Sequence, residues 1–421
     1  MTGRRKTAAA LACSLAVLGL GMAAVKPLDT GDLVALRIGV PSYADAVQQV
    51  TRTIAHEDSV AVPSGASILL VHEQRTSRAI VLFHGVTNSP RQFRVFAERL
   101  YEQGANVYIP RLPHHAEPGA MQALAAMTAE QLRDCADSAV VIARGLGDSV
   151  LVAGLSAGGA MAAWIAQNRP DVGRVVVIAP AIELARLPWK LGNPVSRLAV
   201  RLPNLTRQHP RPDTVPDRED GWTTHGFGQM LRLGLAVERQ ARKSAPAVKD
   251  IRLLLNAHDR TISNEAALRV AGDWRARGAH VEVAWLPDSL ELPHDVIDPR
   301  QPVKRMDVVY PLLVALLFGA PVDSSRTQAP RRASLASAVS GHANTAQHAE
   351  GEVRRSVFSV PQRAHDEILA AGKQGHVQEA SGLRPGRRVQ HAERLVEQRA
   401  QIAPRFDMLQ QLLHGHALLQ Q

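Results

Sequence analysis

Two runs of four consecutive apolar residues, Val150-Leu151-Val152-Ala153 and Val175-Val176-Val177-Ile178, stand out in the hydropathy pattern of the chain. A strand wetted on one face alternates apolar and polar side chains, whereas short unbroken apolar runs mark strands covered by helices on both faces. From residue 67 such runs recur with helix-like segments between them, at Ser67–His72, Ala79–Phe83, Asn106–Ile109, Ser149–Ala153, Arg174–Ile178, Ile251–Asn256 and His280–Leu286. That rhythm predicts an α/β fold: a mostly parallel central sheet with helices on both faces.

Helix boundaries support the same plan. Ser89, with Pro90 next and Gln92 three residues on, has the pattern of a capping box opening a helix that runs to about Gln103 and stops at Gly104. Thr128 and Gln131 repeat the device before a helix ending near Gly145. Both hydroxyls are therefore expected to cap helices and not to react.

The rhythm breaks between Pro180 and Lys249, where a Pro- and Arg-rich stretch precedes an apolar helix-like run from Phe227 to Gln240. An interruption of that length is expected to be a lid inserted at about residues 181–249. A last apolar helical segment, Val303–Phe318, closes a domain spanning 27–320. From 321 to 421 the chain turns to Ala, Gln, Arg, Ser and His without strand signals, which predicts a disordered tail.

The N-terminus is expected to act in targeting. Arg4, Arg5 and Lys6 precede an uncharged stretch from Thr7 to Val25, the pattern of an export signal or an N-terminal membrane anchor within residues 1–26, with Ala23 a tolerable cleavage point. On that reading the chain is exported or membrane-anchored, with the catalytic domain outside the cytoplasmic membrane and membrane association through this apolar segment.

Bulk composition narrows the function. Hydrophobic residues at 45% and charged residues at 21% are those of a folded chain. The net charge of +10 raises polyanions as partners, but the basic residues are scattered, aromatics make up 4%, and no nucleic-acid module is present, so nucleic acid is not expected. Two cysteines, Cys13 and Cys135, allow neither a disulfide framework nor a cysteine metal site. Seven of the 17 histidines lie beyond residue 340, and only His414 and His416 among them have ligand-like spacing.

Candidate chemistry centres on Gly154-Leu155-Ser156-Ala157-Gly158, a G-x-S-x-G pattern between an apolar strand and the small-residue start of a helix, Gly159-Ala160-Met161. A serine on such a turn needs small neighbours because the backbone packs closely on both sides. Its hydroxyl becomes nucleophilic only when a base takes its proton. Asp259 and His294 follow in the order nucleophile, acid, histidine, each just beyond a predicted strand. Glu183 is the alternative acid, while His258 and Asp295 stand beside the preferred residues as bystanders. Phe83-His84-Gly85-Val86 ends another strand, and there the backbone N–H of Val86, paired with that of Ala157, is placed to receive an oxyanion. His84 is expected to be structural. Trp189, Trp222, Phe227 and Met230 in the insertion are candidates to line an acyl pocket, against the plainer reading that they only pack.

Together His84-Gly85-Val86-Thr87-Asn88-Ser89-Pro90, Gly154 to Gly159, Asp259 and His294 resemble the α/β-hydrolase superfamily, particularly small carboxylesterases and monoacylglycerol-lipase-like enzymes, over about residues 67–318. The resemblance implies an α/β-hydrolase fold with an inserted lid and acyl-enzyme chemistry on a small-molecule ester, with no metal and no other cofactor. An amide hydrolase, an acyltransferase and a non-catalytic binding scaffold are the alternatives.

Overall fold

The computed structural model describes residues 14, 18–31, 33–36, 39–62, 64–185, 189–208 and 221–319. The tail expected at 321–421 lies outside the described residues. After a helical stretch at residues 18–25, helix α1 (Tyr43–Val60) is capped by Ser42, whose side chain accepts from Asp45 N. The pattern did not predict it, because only Ala46, Val50 and Glu57 of its residues are buried. Strands β1 (Ile68–Leu70) and β2 (Thr76–Phe83) follow, then α2 (Arg94–Glu102), β3 (Asn106–Ile109), the short α3 (Ala120–Ala126) and α4 (Ala129–Leu146). Next come β4 (Gly147–Leu155), α5 (Ala157–Asn168) and β5 (Arg174–Ile178).

The insertion consists of α6 (Trp189–Arg201), the hairpin-like pair β6 (Thr206–Gln208) and β7 (Gly221–Thr223), and α7 (Thr224–Lys243). The chain then returns to the sheet as β8 (Asp250–Asn256), α8 (Asn264–Ala276), β9 (His280–Leu286) and α9 (Met306–Phe318). The main sheet has the order β1-β3-β2-β4-β5-β8-β9. All its pairings are parallel except that of β1 with β3, so the C-terminal ends of β2, β4, β5, β8 and β9 share one edge. Each predicted strand is present, and the apolar runs of β4 and β5 are buried as their pattern requires.

The two capping signals part company. Thr128 and Gln131 form the full box at the start of α4, with Gln131 N donating to Thr128 Oγ1 at 3.2 Å and Thr128 N to Gln131 Oε1 at 2.9 Å. At Ser89 a 3₁₀ turn, Pro90–Phe93, precedes α2, and the Ser89 hydroxyl accepts from Arg91 N. Gln92 N donates to Ser89 O at 3.0 Å, but its side chain turns elsewhere, and Oε1 accepts from Gly85 N at 2.8 Å.

The segment ahead of α1 is bound to the body of the domain. Residues 18–25 are helical, and the carbonyls of residues 23–27 accept hydrogen bonds from Arg197 and Arg201 of α6. Leu33 is fully buried, and its carbonyl accepts from Trp164 Nε1 at 2.8 Å and Gln240 Nε2 at 3.2 Å. The expected location outside a membrane is corrected here. Among the described residues no helix is long and apolar enough to cross a membrane. The end of the apolar stretch is tied to α6, and most of the basic and apolar positions that suggested targeting, within residues 1–17, lie outside the described residues.

Candidate active site

Ser156 stands between β4 and α5 with φ +60° and ψ −111°, a backbone region that costs a non-glycine residue energy and persists only when its surroundings enforce it. Enforcement comes from three backbone hydrogen bonds. Ser156 N donates to Ile178 O at 3.0 Å, and Ser156 O accepts from Ala160 N at 2.9 Å and Ala181 N at 3.0 Å. The glycines of the pattern have a steric reason. A Cβ on Gly158 would stand 2.0 Å from Phe83 O, and one on Gly154 would stand 2.1 Å from Gly158 O, so neither position admits a side chain.

Asp259 and His294 leave the same sheet edge on the loops after β8 and β9. His294 Nδ1 lies 2.6 Å from Asp259 Oδ2, and the Asp259 side chain is fully buried. The other oxygen of Asp259 accepts from the amides of Thr261 at 2.8 Å and Ile262 at 3.2 Å, so the carboxylate is held in one orientation. A carboxylate on Nδ1 makes that nitrogen the donor and leaves Nε2 basic. Nε2 is buried and meets no hydrogen-bond partner among the described residues. Glu183, the alternative acid, is instead paired with Arg269 at 2.7 Å, and His258 contacts Asp288 near the surface.

Several side chains that the motifs did not single out hold this geometry. Asn256, the last residue of β8, donates from Nδ2 to Leu292 O at 2.9 Å and Pro293 O at 3.0 Å, fixing the loop that carries His294. Asp295 accepts from Gln301 Nε2 at 2.7 Å and Asn88 Nδ2 at 3.3 Å, which ties that loop to the one after β2. No sequence signal distinguishes Asn256 from an ordinary strand end.

The loop after β2 is braced by two buried histidines. Leu112 N donates to His84 Nε2 at 3.1 Å, so Nδ1 carries the proton toward Gly85 O at 2.9 Å. His115 Nε2 lies 2.9 Å from Val86 O. Burial, reinforced by each other's proximity for His84, holds His84 well below the ordinary imidazole value and lowers His115 to about 4 despite its carbonyl contacts. Both rings are neutral struts at neutral pH. Ala157 occupies the first position of α5, where a helix amide has no intrahelical acceptor and the helix dipole favours negative charge.

Ser156, His294 and Val86 line one cleft of about 440 Å³. Of the four residues expected in an acyl pocket, Trp222, Phe227 and Met230 line it, joined by Leu155 and Ile262; the side chain of Trp189 lies outside what is described. Trp222 and Phe227 pack as an aromatic pair with centroids 5.5 Å apart.

The family model described as serine aminopeptidase, S33 (Hydrolase_4) matches residues 74–283. Among solved structures, the chain is similar to that reported for two metagenome-derived lipolytic enzymes, LipS and LipT, at 18% identity over 62% of this chain and 99% of that one, with a TM-score of 0.48. A monoacylglycerol lipase of Paleococcus ferrophilus shares 18% identity over 60% of this chain and 97% of its own, with a TM-score of 0.45. A monoglyceride lipase of Saccharomyces cerevisiae shares 12% over 64% and 95%, also at 0.45. No curated protein matches the sequence.

Proposed function

We propose that the chain, whose residues 74–283 match a hydrolase family model, is an α/β-hydrolase cleaving carboxylic esters, with Ser156 as nucleophile, His294 as base and Asp259 as the group that orients it. The observation that carries the proposal is the 2.6 Å contact of His294 Nδ1 with Asp259, which leaves a buried, unpartnered Nε2 in the cleft that Ser156 lines.

On this reading Ser156 Oγ attacks the ester carbonyl as His294 Nε2 takes its proton, and the imidazolium is stabilised by Asp259. The amides of Val86 and Ala157 receive the negative charge of the tetrahedral oxygen. The imidazolium then protonates the departing alkoxide, and water activated by the regenerated imidazole releases the acid. Trp222, Phe227, Met230, Leu155 and Ile262 give the acyl chain an apolar wall.

A peptidase reading draws on the description of the matched family model. An aminopeptidase needs a carboxylate free to pair with the substrate's ammonium. Among the described residues Asp295 is the one carboxylate lining the cleft, and it is already engaged by Gln301, Asn88 and the amides of Ile297 and Asp298. That favours esters. The test is a panel of p-nitrophenyl esters of graded chain length beside aminoacyl p-nitroanilides. Turnover of esters with kcat/KM rising with acyl length supports the reading; efficient cleavage of anilides with inert esters overturns it.

A further inference from the structure

Gln92 has a role that a helix cap does not explain. Its side chain is fully buried and lines the cleft, and its two amide ends have different fates. Gly85 N–H requires an acceptor and finds Gln92 Oε1 at 2.8 Å, which fixes the orientation of the amide. Nε2, with two N–H bonds, is then left buried without a hydrogen-bond partner among the described residues. An orphaned buried donor costs about 1–3 kcal/mol, so an amide held in this way is useful where a ligand completes it.

Its position indicates which ligand atom. A point at the absent Cβ of Gly85 lies 3.7 Å from Ser156 Cβ and 3.8 Å from both Nε2 and Oε1 of Gln92, so the bare glycine borders the nucleophile on one side and the amide on the other. Val86, the next residue, carries the backbone N–H assigned to the oxyanion. Resting on the serine-hydrolase reading, we infer that Gln92 is a further catalytic residue, its Nε2 donating a hydrogen bond to the carbonyl oxygen of the substrate as that oxygen becomes an oxyanion. No proton is transferred; the bond strengthens as charge develops, while Oε1 keeps the Gly85–Val86 backbone aimed at the same oxygen.

The two ends of the amide can be tested separately. Gln92→Glu keeps an acceptor for Gly85 N but replaces the donor with an oxygen, whereas Gln92→Met removes both. Loss of one preorganised oxyanion donor costs about 10²–10³-fold in kcat. Gln92→Glu is expected to lose that much on a p-nitrophenyl ester with KM changed by less than about threefold, and much less on the matching thionoester, whose sulfur is a poorer hydrogen-bond acceptor. Fluorophosphonate should still label Ser156 in full, at a slower rate. If Gln92→Glu turns over like the wild type, or if ester and thionoester suffer equally in both variants alongside a lowered Tm, Gln92 only braces the loop and the inference fails. A wild-type enzyme that neither labels at Ser156 nor cleaves esters refutes the underlying reading, and this assignment with it.

Discussion

Replacing the carboxylate of Asp259 by an amide of the same shape separates its charge and acceptor character from its packing. In Asp259→Asn the buried side chain presents an N–H to His294 Nδ1 or breaks its bonds with Thr261 N and Ile262 N. Either way the working tautomer is lost, and kcat is expected to fall by about 10³–10⁴-fold with the fold intact; steady-state kinetics beside a thermal melt check this, and an active variant would remove Asp259 from the mechanism. His115 makes a prediction about stability. Its pKa in the folded chain is about 4 against an ordinary 6.5, with burial as the first cause, so the unfolded chain binds more protons between those values. Stability is therefore full above about pH 6.5 and declines as pH falls toward 4. His115→Gln, which keeps a donor for Val86 O, should show a shallower decline in melts from pH 7 to pH 4, with a remainder from His84, which is also held low. The placement of Ser156, Asp259 and His294 beyond strand ends was legible in the sequence because each follows an apolar run of strand length. Gln92 was misread because its spacing from Ser89 fits a capping box, and only the fold brings Gly85 N close enough to compete for its oxygen.

The turn from β4 to α5 is the element with least freedom. Gly158→Ala would drive a methyl group into Phe83 O, which belongs to the adjacent strand's backbone and has nowhere to go. Expected outcomes are a destabilisation of more than about 2 kcal/mol and loss of ester turnover, read by chemical denaturation and activity; a stable, active variant would mean that the turn is not under the strain described. Buried parallel strands were legible because apolar runs with helices on both sides have few other solutions. Helix α1 was not, since only Ala46, Val50 and Glu57 of its residues are buried, while Tyr43, Val47 and Ile54 pack against the core half-buried. The insertion was visible only as a break in rhythm, and its pairing of β6 with β7 depends on contacts too distant in the chain for a local pattern to reveal.

The segment that follows the stretch expected to act in targeting is packed into the domain, with Leu33 fully buried. Residues 28–31 and 33–36 run against α5 and α7, and the Leu33 carbonyl is bonded to Trp164 and Gln240. Leu33→Ala should cost about 2–5 kcal/mol in stability while kcat changes little, because Leu33 does not line the cleft; a variant of wild-type stability would show that the strap does not contribute to the core. An uncharged run carries no information about what covers it, which is why the sequence could not separate a membrane-directed segment from one held by Arg197 and Arg201. Above all, the account requires a covalent acyl-serine. Mixing the enzyme with a slowly hydrolysed ester, quenching in acid within the burst and mapping the adduct by peptide mass spectrometry should place one acyl group on Ser156, with none on Ser156→Ala. Undiminished turnover by Ser156→Ala, or an adduct on any other residue, would contradict it.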